Sequence, residues 1–337
     1  MNVGVFLPTY ILPDSEREHA GQIRRFATRA EELGFASLFV TDHLLTAHRF
    51  YRVSWLEPIT TLTYAAAVTS RVQLGTSILV MPTRQPVVLA KEIATLQRLS
   101  SGRFVLGAGV GWYDREFEAV GGRRKERGRR TDEVIDATME LLSGRDVTFE
   151  GRYYRFEDAT VEPLGPVPPV WVAGGRQFAH EASPEKPVMA PTVLQRIGRW
   201  DGWIARPTAT PEQIATDLAE IDGELERSTT SRAERGFTVA HENFCWISER
   251  ANRDDAVAEQ RERLYAVVSD ERPWEYLESV YLSGTIDELQ RRVQERIDAG
   301  VEYLILHTMT ADLRQLELFA EHILEPFAHR LRPAARV

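Results

Sequence analysis

The sequence predicts a (β/α)8 barrel, and three observations carry that prediction. Short apolar runs recur with room for a helix between them, the runs number eight, and helix start and stop signals fall in the gaps. VGVFL at 3–7 reads as the first buried strand. Ile23, Phe26, Ala27, Ala30 and Leu33 then repeat at helical spacing, which predicts a helix over 16–33 that Gly34 stops. SLFV at 37–40, VQLGTSILV at 72–80 and FVLGA at 104–108 are strands two to four. PPVWVAGG at 168–175, DGWI at 201–204, FTVAHENFCWI at 237–247 and EYLILH at 302–307 complete the eight. Thr210 before Pro211 is an N-cap with proline at the first helical position, and Thr285 to Glu288 is a capping box for a helix ending at Gly300.

Three stretches break the rhythm and are expected as insertions at the C-terminal face, over about 110–130, 144–169 and 176–192. The second alternates aromatic and polar residues before a proline-rich run, as a small hairpin would. A single domain over 1–337 is expected, because barrels of about 250 residues reach this length with insertions.

Composition narrows the function classes. A net charge of −9 disfavours nucleic acid and anionic membrane as partners, since both need a basic face. No stretch approaches the roughly 20 apolar residues of a membrane span, and the N-terminus has neither the basic region nor the cleavage site of a signal peptide. With Cys245 the single cysteine, no intramolecular disulfide can form. A soluble, cytoplasmic protein is the expectation. The basic run from Arg123 to Arg130 reads as a solvated helix start, with a clamp for an anionic cofactor tail or substrate as the alternative.

In a barrel, the residues that act on substrate follow the C-terminal ends of strands. After strand two come Thr41, Asp42 and His43, where a histidine can exchange a proton near neutral pH and an adjacent carboxylate can orient it. The competing reading is a capping aspartate beside a packing histidine. His48 follows, yet no paired histidines at helical spacing and no cysteine cluster point to a metal. After strand three, Thr76, Ser77 and Ile78 interrupt an apolar strand with small polar residues, suited to backbone contact with a ligand or to a bulge. RFVLGAGVG at 103–111 brings a main chain with Gly107, Gly109 and Gly111 to where a flat ligand could approach it. It departs from the dinucleotide fingerprint, its third glycine falling one residue early. Gly174, Gly175 and Arg176 after strand five could hold a phosphate, or form a plain turn. Phe6, Trp55, Glu57, Trp112 and Trp203 fall near strand ends and are candidates for a substrate pocket, whereas Trp171 reads as core.

Taken in order, VGVFLP, ELGFASLFVTDH, the stretch from EPITTLTYAAAV to RFVLGAGVGW, EFEAVG, FEGRYYRF, PPVWVAGG and DGWI resemble the signatures of the bacterial luciferase-like family of flavin-dependent oxidoreductases. GVGWYDREFEAVG is most similar to members that use the deazaflavin coenzyme F420. The resemblance implies an isoalloxazine-type ring at the C-terminal mouth, with His43 as the family's active-site histidine. It implies a non-prolyl cis peptide at Ser77–Ile78 against the ring, and phosphate-side loops at Gly107, Gly109, Val110, Gly175 and Arg176, with contacts near 191–196. Val110 stands where luciferase itself has an arginine. Sugar-phosphate dehydrogenases of the deazaflavin branch have an acidic residue in place of Trp112 and an aromatic in place of Ala47, so their substrate is not expected. The expected activity is hydride transfer between F420 and a small organic substrate. The alternatives are a monooxygenase using FMNH2 and oxygen with a partner flavin reductase, a non-catalytic flavin-binding protein, and a barrel hydrolase with a metal at Asp42 and His43. Family habit suggests a homodimer.

Overall fold

The computed structural model describes the chain apart from residues 12–17, 48–49, 177–187, 229–230 and 329–337. Eight parallel strands form the barrel: β1 (Asn2–Phe6), β2 (Ser37–Val40), β3 (Gln73–Thr76), β4 (Phe104–Gly109), β5 (Val170–Gly174), β6 (Gly202–Ala205), β7 (Thr238–Phe244) and β8 (Tyr303–His307). Each strand pairs with its successor, and β8 pairs with β1 through Gly4 opposite Ile305, so the ring closes without an edge. The eight runs read from the sequence are these eight strands.

Alternation along the strands divides two apolar layers. Phe39, Val105, Trp171, Ile204 and Tyr303 fill the barrel interior, as expected for Trp171. Val3, Val5, Leu38, Leu106 and Trp203 pack outward against the helices. The first helix, His19–Leu33, buries Ile23, Phe26, Ala27 and Ala30 and ends where Gly34 turns to a φ of 91°. Both predicted caps form, Thr210 with Gln213 ahead of Pro211–Arg227 and Thr285 with Glu288 ahead of Ile286–Asp298.

The run at 72–80 is not one strand. β3 ends at Thr76, the Ser77–Ile78 peptide is cis, and Leu79–Val80 resumes pairing against Ala108 and Gly109. β4 shows why glycines stand opposite. A Cβ on Gly107 would lie 1.8 Å from the Thr76 carbonyl oxygen, and one on Gly109 would lie 2.6 Å from the Ile78 side chain. These glycines admit the bulge of the neighbouring strand, a requirement of the protein's own packing.

The 144–169 stretch contains the expected hairpin, Val147–Glu150 against Arg155–Ala159. Residues 110–130 hold a short helix, Asp114–Ala119, a single 3-10 turn, and the start of the helix Arg127–Ser143. The basic run there is largely solvated, with Arg124 paired to Asp114 and Arg130 to Glu126. Most of the expected 176–192 insertion lies outside the described residues, and its end enters the helix Pro191–Arg199. A further excursion, with helices Arg253–Tyr265 and Trp274–Val280 between β7 and β8, reaches over the mouth. It joins the loop after β2 where Tyr51 bridges Val268 and the Ser269 amide donates to the Phe50 carbonyl at 2.8 Å. Its strongly helical, charged sequence gave no sign of irregularity.

Candidate active site

The loop after β2 presents His43 at the mouth, and its ring is held by a carboxylate from across the loop. Nδ1 of His43 lies 3.1 Å from Oε1 of Glu116, in the helix Asp114–Ala119, and that oxygen also accepts the Leu45 amide at 3.1 Å. Both side chains are almost wholly buried. A carboxylate facing Nδ1 favours the tautomer with the proton there, which leaves the Nε2 lone pair for a ligand. Aromatic rings enclose the imidazole: Trp55 at 4.9 Å between centroids, Tyr51 at 5.4 Å and Trp112 at 5.5 Å.

Asp42, the carboxylate expected to orient His43, is turned toward other partners. Its Oδ2 accepts the Val80 amide at 2.8 Å and its Oδ1 meets Arg84 at 2.8 Å, so it braces the segment after the cis peptide. Burial pushes its carboxyl up while Arg84 and the amide pull it down. Arg84 continues to Glu57 at 3.1 Å, and Glu57 caps its helix by accepting the Thr60 amide at 2.7 Å. Glu57 is therefore a cap, not a pocket wall.

The floor of the mouth joins opposite sides of the barrel. Ser77, just after β3, donates its hydroxyl to the carboxylate of Glu242 on β7. Burial pushes the Glu242 carboxyl up to about 7, against a lowering by Ser77. Its neighbours face outward: His241 meets the Arg206 carbonyl at 3.0 Å, and Asn243 donates to the carbonyls of Pro207 and Val280. Sequence reasoning missed Glu116 and Glu242. The signal for the second was three consecutive polar residues, His241 to Asn243, inside an otherwise apolar strand. Thr76 is buried in the barrel wall, its hydroxyl donating to the Gly107 carbonyl at 2.8 Å.

On the β5 side, Arg176 is engaged by acids. Its amide donates to Asp217 at 3.0 Å, its Nε lies 2.8 Å from the same carboxylate, and its Nη2 pairs with Glu220. Burial pushes Asp217 up and brings Arg206, close by, down to about 10. The expected phosphate clamp is thus a charged knot, because a half-buried guanidinium beside Asp217 is better paired than left open. Gly174 and Gly175 are half-buried at the strand end, where a Cβ on Gly175 would approach Asp217 to 2.9 Å.

Two more expectations change. Trp203 faces the helix layer, with no exposed surface, and its indole N–H donates to the Gly174 carbonyl at 3.0 Å. Phe6 is barrel core, stacked on His307 at 4.4 Å. Trp55 and Trp112 lie beside the His43 ring. Trp112 also walls a cavity of about 130 Å³ with Phe50, Tyr51, Val268, Leu277 and Tyr281, and Arg272 stands at its rim. A larger hollow, about 390 Å³, bounded by Gln22, Arg25 and Thr310–Leu313, shares none of these residues. His48 lies outside the described residues. Among the described residues, no group of three His, Cys, Asp or Glu side chains could hold a metal, and no helix is long and apolar enough to cross a membrane.

Ile78, Val110, Ala173 and Gly174 remain half-exposed at the ends of β3 to β5 while the residues beneath them are buried. These residues form a partly open rim of side chain and backbone at the strand ends.

Residues 1–186 match the family model described as luciferase-like monooxygenase. The F420-dependent glucose-6-phosphate dehydrogenase of Amycolatopsis mediterranei is 30% identical over 318 residues, 89% of this chain and 92% of the relative. The enzyme of the same name from Kineococcus radiotolerans is 31% identical over 328 residues, 88% and 90% of the two chains. Among solved structures, the monooxygenase RslO1 from Streptomyces bottropensis superposes with a TM-score of 0.76 at 23% identity, over 97% of this chain and 100% of that one. An F420-dependent secondary alcohol dehydrogenase bound to an F420–acetone adduct gives 0.74 at 19%, over 100% and 99%.

Proposed function

From the premise that the chain belongs to the luciferase-like monooxygenase family and is a flavin- or F420-type oxidoreductase, we propose that it moves a hydride between coenzyme F420 and a small organic substrate, with His43 handling the accompanying proton. The observation that carries this reading is the His43–Glu116 pair, set in an aromatic wall directly beside a cavity. When bound, the deazaflavin supplies the hydride donor or acceptor. Ser77, Ile78 and Val110 would support its ring, and Gly174 and Gly175 would lie toward its phosphate. Nε2 of His43 takes the proton of a substrate hydroxyl as the hydride leaves the adjoining carbon, and returns it to the carbonyl oxygen in the reverse direction. Glu116 fixes the ring and stabilises the imidazolium formed. Trp55, Tyr51 and Trp112 exclude water around that proton.

The cavity narrows the substrate. About 130 Å³ compares with the roughly 150 Å³ of an apolar cavity that accepts benzene, so the reacting portion is about one small ring in size. Its walls mix aromatic and aliphatic surface with the polar groups of Tyr51, Ser269, Arg272 and Tyr281, so its small size, rather than a lack of polar partners, is what disfavours a whole hexose phosphate. A compact apolar carbonyl or alcohol suits it better than the hexose phosphate named for the relatives. Trp112 and the buried Ala47 agree with this.

Fluorescence titration with F420, and separately with FMN in oxidised and reduced forms, tests the cofactor. Tight binding of F420, followed by its reduction with a panel of small alcohols, is the expected result. Preference for reduced FMN with oxygen consumption would replace this reading by a monooxygenase served by a flavin reductase.

A further inference from the structure

We propose that Glu242 and Ser77 form a proton-linked strut across the floor of the mouth, in which Glu242 is a positioning residue that determines, through the Ser77 hydroxyl, how the site receives the ring. The part concerning the ring rests on the function proposed above; the strut itself does not.

β3 and β7 are four places apart in a closed ring of eight, so a hydrogen bond from Ser77 to Glu242 joins opposite walls. It is a lid on the packed interior and the base of the space above. Along β7, Ala240, His241 and Asn243 are buried, whereas Glu242 keeps some accessible surface although protein surrounds its carboxyl. That combination places the carboxyl against the mouth rather than in solid packing.

Among the described residues no cation pairs with it. Ser77 is the one hydrogen-bond partner of the carboxyl among the described residues. From the loop after β2 and the helix that ends at Val280, Tyr51 and Tyr281 stand near it: burial raises both phenols, the Glu242 charge adds to the rise, and Arg272 opposes it from the rim. On the adjoining β8, His307 is buried and held neutral. On its own strand, His241 points away and is also neutral. An uncompensated carboxylate here is unfavourable, and burial brings its proton equilibrium to neutrality.

The two protonation states differ at Ser77. A protonated Glu242 donates to Ser77 Oγ and leaves the serine hydrogen free to turn toward a ligand. An ionised Glu242 accepts that hydrogen and places a negative charge beneath the ligand. The protonated floor therefore offers a hydrogen-bond donor to acceptor atoms of the ring, and the ionised floor withdraws that donor and sets a negative charge beneath them.

Two measurements test this. In the ligand-free protein, the infrared carbonyl band of a protonated carboxylic acid should titrate near pH 7 and be absent from Glu242→Gln. In Ser77→Ala its midpoint should move upward, since the serine hydrogen bond favours the ionised form. With F420 and FMN as probes, the wild-type dissociation constant should rise about tenfold between pH 6 and 8, and the Glu242→Gln value should stay within about twofold of the wild-type value at pH 6. A midpoint near that of an ordinary glutamate, or an unchanged pH profile in Glu242→Gln, overturns the proposal. If neither cofactor binds while the infrared titration behaves as stated, the strut stands and the functional reading falls.

Discussion

Nδ1 of His43 and the Leu45 amide converge at 3.1 Å each on one oxygen of Glu116, so a single carboxylate sets both the imidazole and the loop that carries it. Removing the imidazole should separate binding from chemistry. His43→Ala is expected to keep cofactor affinity within about tenfold and to lower turnover by roughly 10²–10⁴, the range for a lost general acid or base. Steady-state kinetics beside a binding titration decides it. An unchanged rate would remove His43 from the reaction.

Glu116→Ala should act through His43. It leaves a buried imidazole nitrogen and a backbone amide without their acceptor, at a stability cost of about 1–3 kcal/mol. It also frees the ring to adopt the wrong tautomer, so turnover falls and its pH profile changes shape. Glu116→Gln keeps an acceptor oxygen and should recover most of the stability. Equal denaturation midpoints for wild type and Glu116→Ala would show that the pair is not structural.

The contrast between His43 and Glu116 shows how far the sequence could be read. The eight strands were legible because burial on both faces leaves continuous apolar runs, and the caps were legible because Thr210 and Thr285 lie at fixed spacing from their partners. His43 was singled out because a barrel places chemistry after its strands, and the structure sets its imidazole against Glu116. Glu116 was hidden in a motif, WYDREF, whose helical face cannot be known until its helix docks against the β2 loop. Glu242 and Ser77 are 165 residues apart, and no local period connects them. Trp203 misled for a related reason: a strand-end aromatic can face either layer, and only the register decides.

Gly107 offers a test of packing alone. Its absent Cβ leaves room for the Thr76 carbonyl, whose place is fixed by pairing of β3 on both sides. Gly107→Ala would need a backbone shift in the barrel wall, so it should destabilise by about 3 kcal/mol or more, or fail to accumulate as folded protein. Gly121→Ala is the control at the surface. A Cβ there meets nothing within 4 Å, though its φ of 75° adds modest strain. Comparable unfolding midpoints for the two variants would contradict this account of the bulge.

Arg176 should prove structural. Its guanidinium balances Asp217, whose carboxyl is 2% exposed, so Arg176→Gln removes the ion pair of a buried acid and leaves Arg206 as the nearby charge. A loss of about 1–3 kcal/mol is expected, recovered in part by Asp217→Asn in the same chain, with cofactor affinity changed less than about threefold. A large affinity loss at unchanged stability would restore Arg176 to the phosphate side of the site.

The pH dependence of stability is a contest between buried groups of opposite sign. His241 and His307 are pushed down to about 3 by burial, so their stabilisation is complete above the unfolded value of 6.5 and is lost as pH falls. Glu242 is pushed up to about 7 from 4.5, so its contribution is complete below 4.5 and is lost as pH rises through 7. Between pH 4.5 and 6.5 these three groups leave the unfolded chain with one more bound proton than the fold, two from the histidines against one from Glu242. Their combined effect is a loss of about 1.4 kcal/mol per pH unit on acidification. Glu242→Gln removes the opposing proton and should double that slope. From pH 6.5 to 5.0 the variant should therefore lose about 2 kcal/mol more than the wild type in urea unfolding, and parallel curves would mean that Glu242 titrates alike in the folded and unfolded chains.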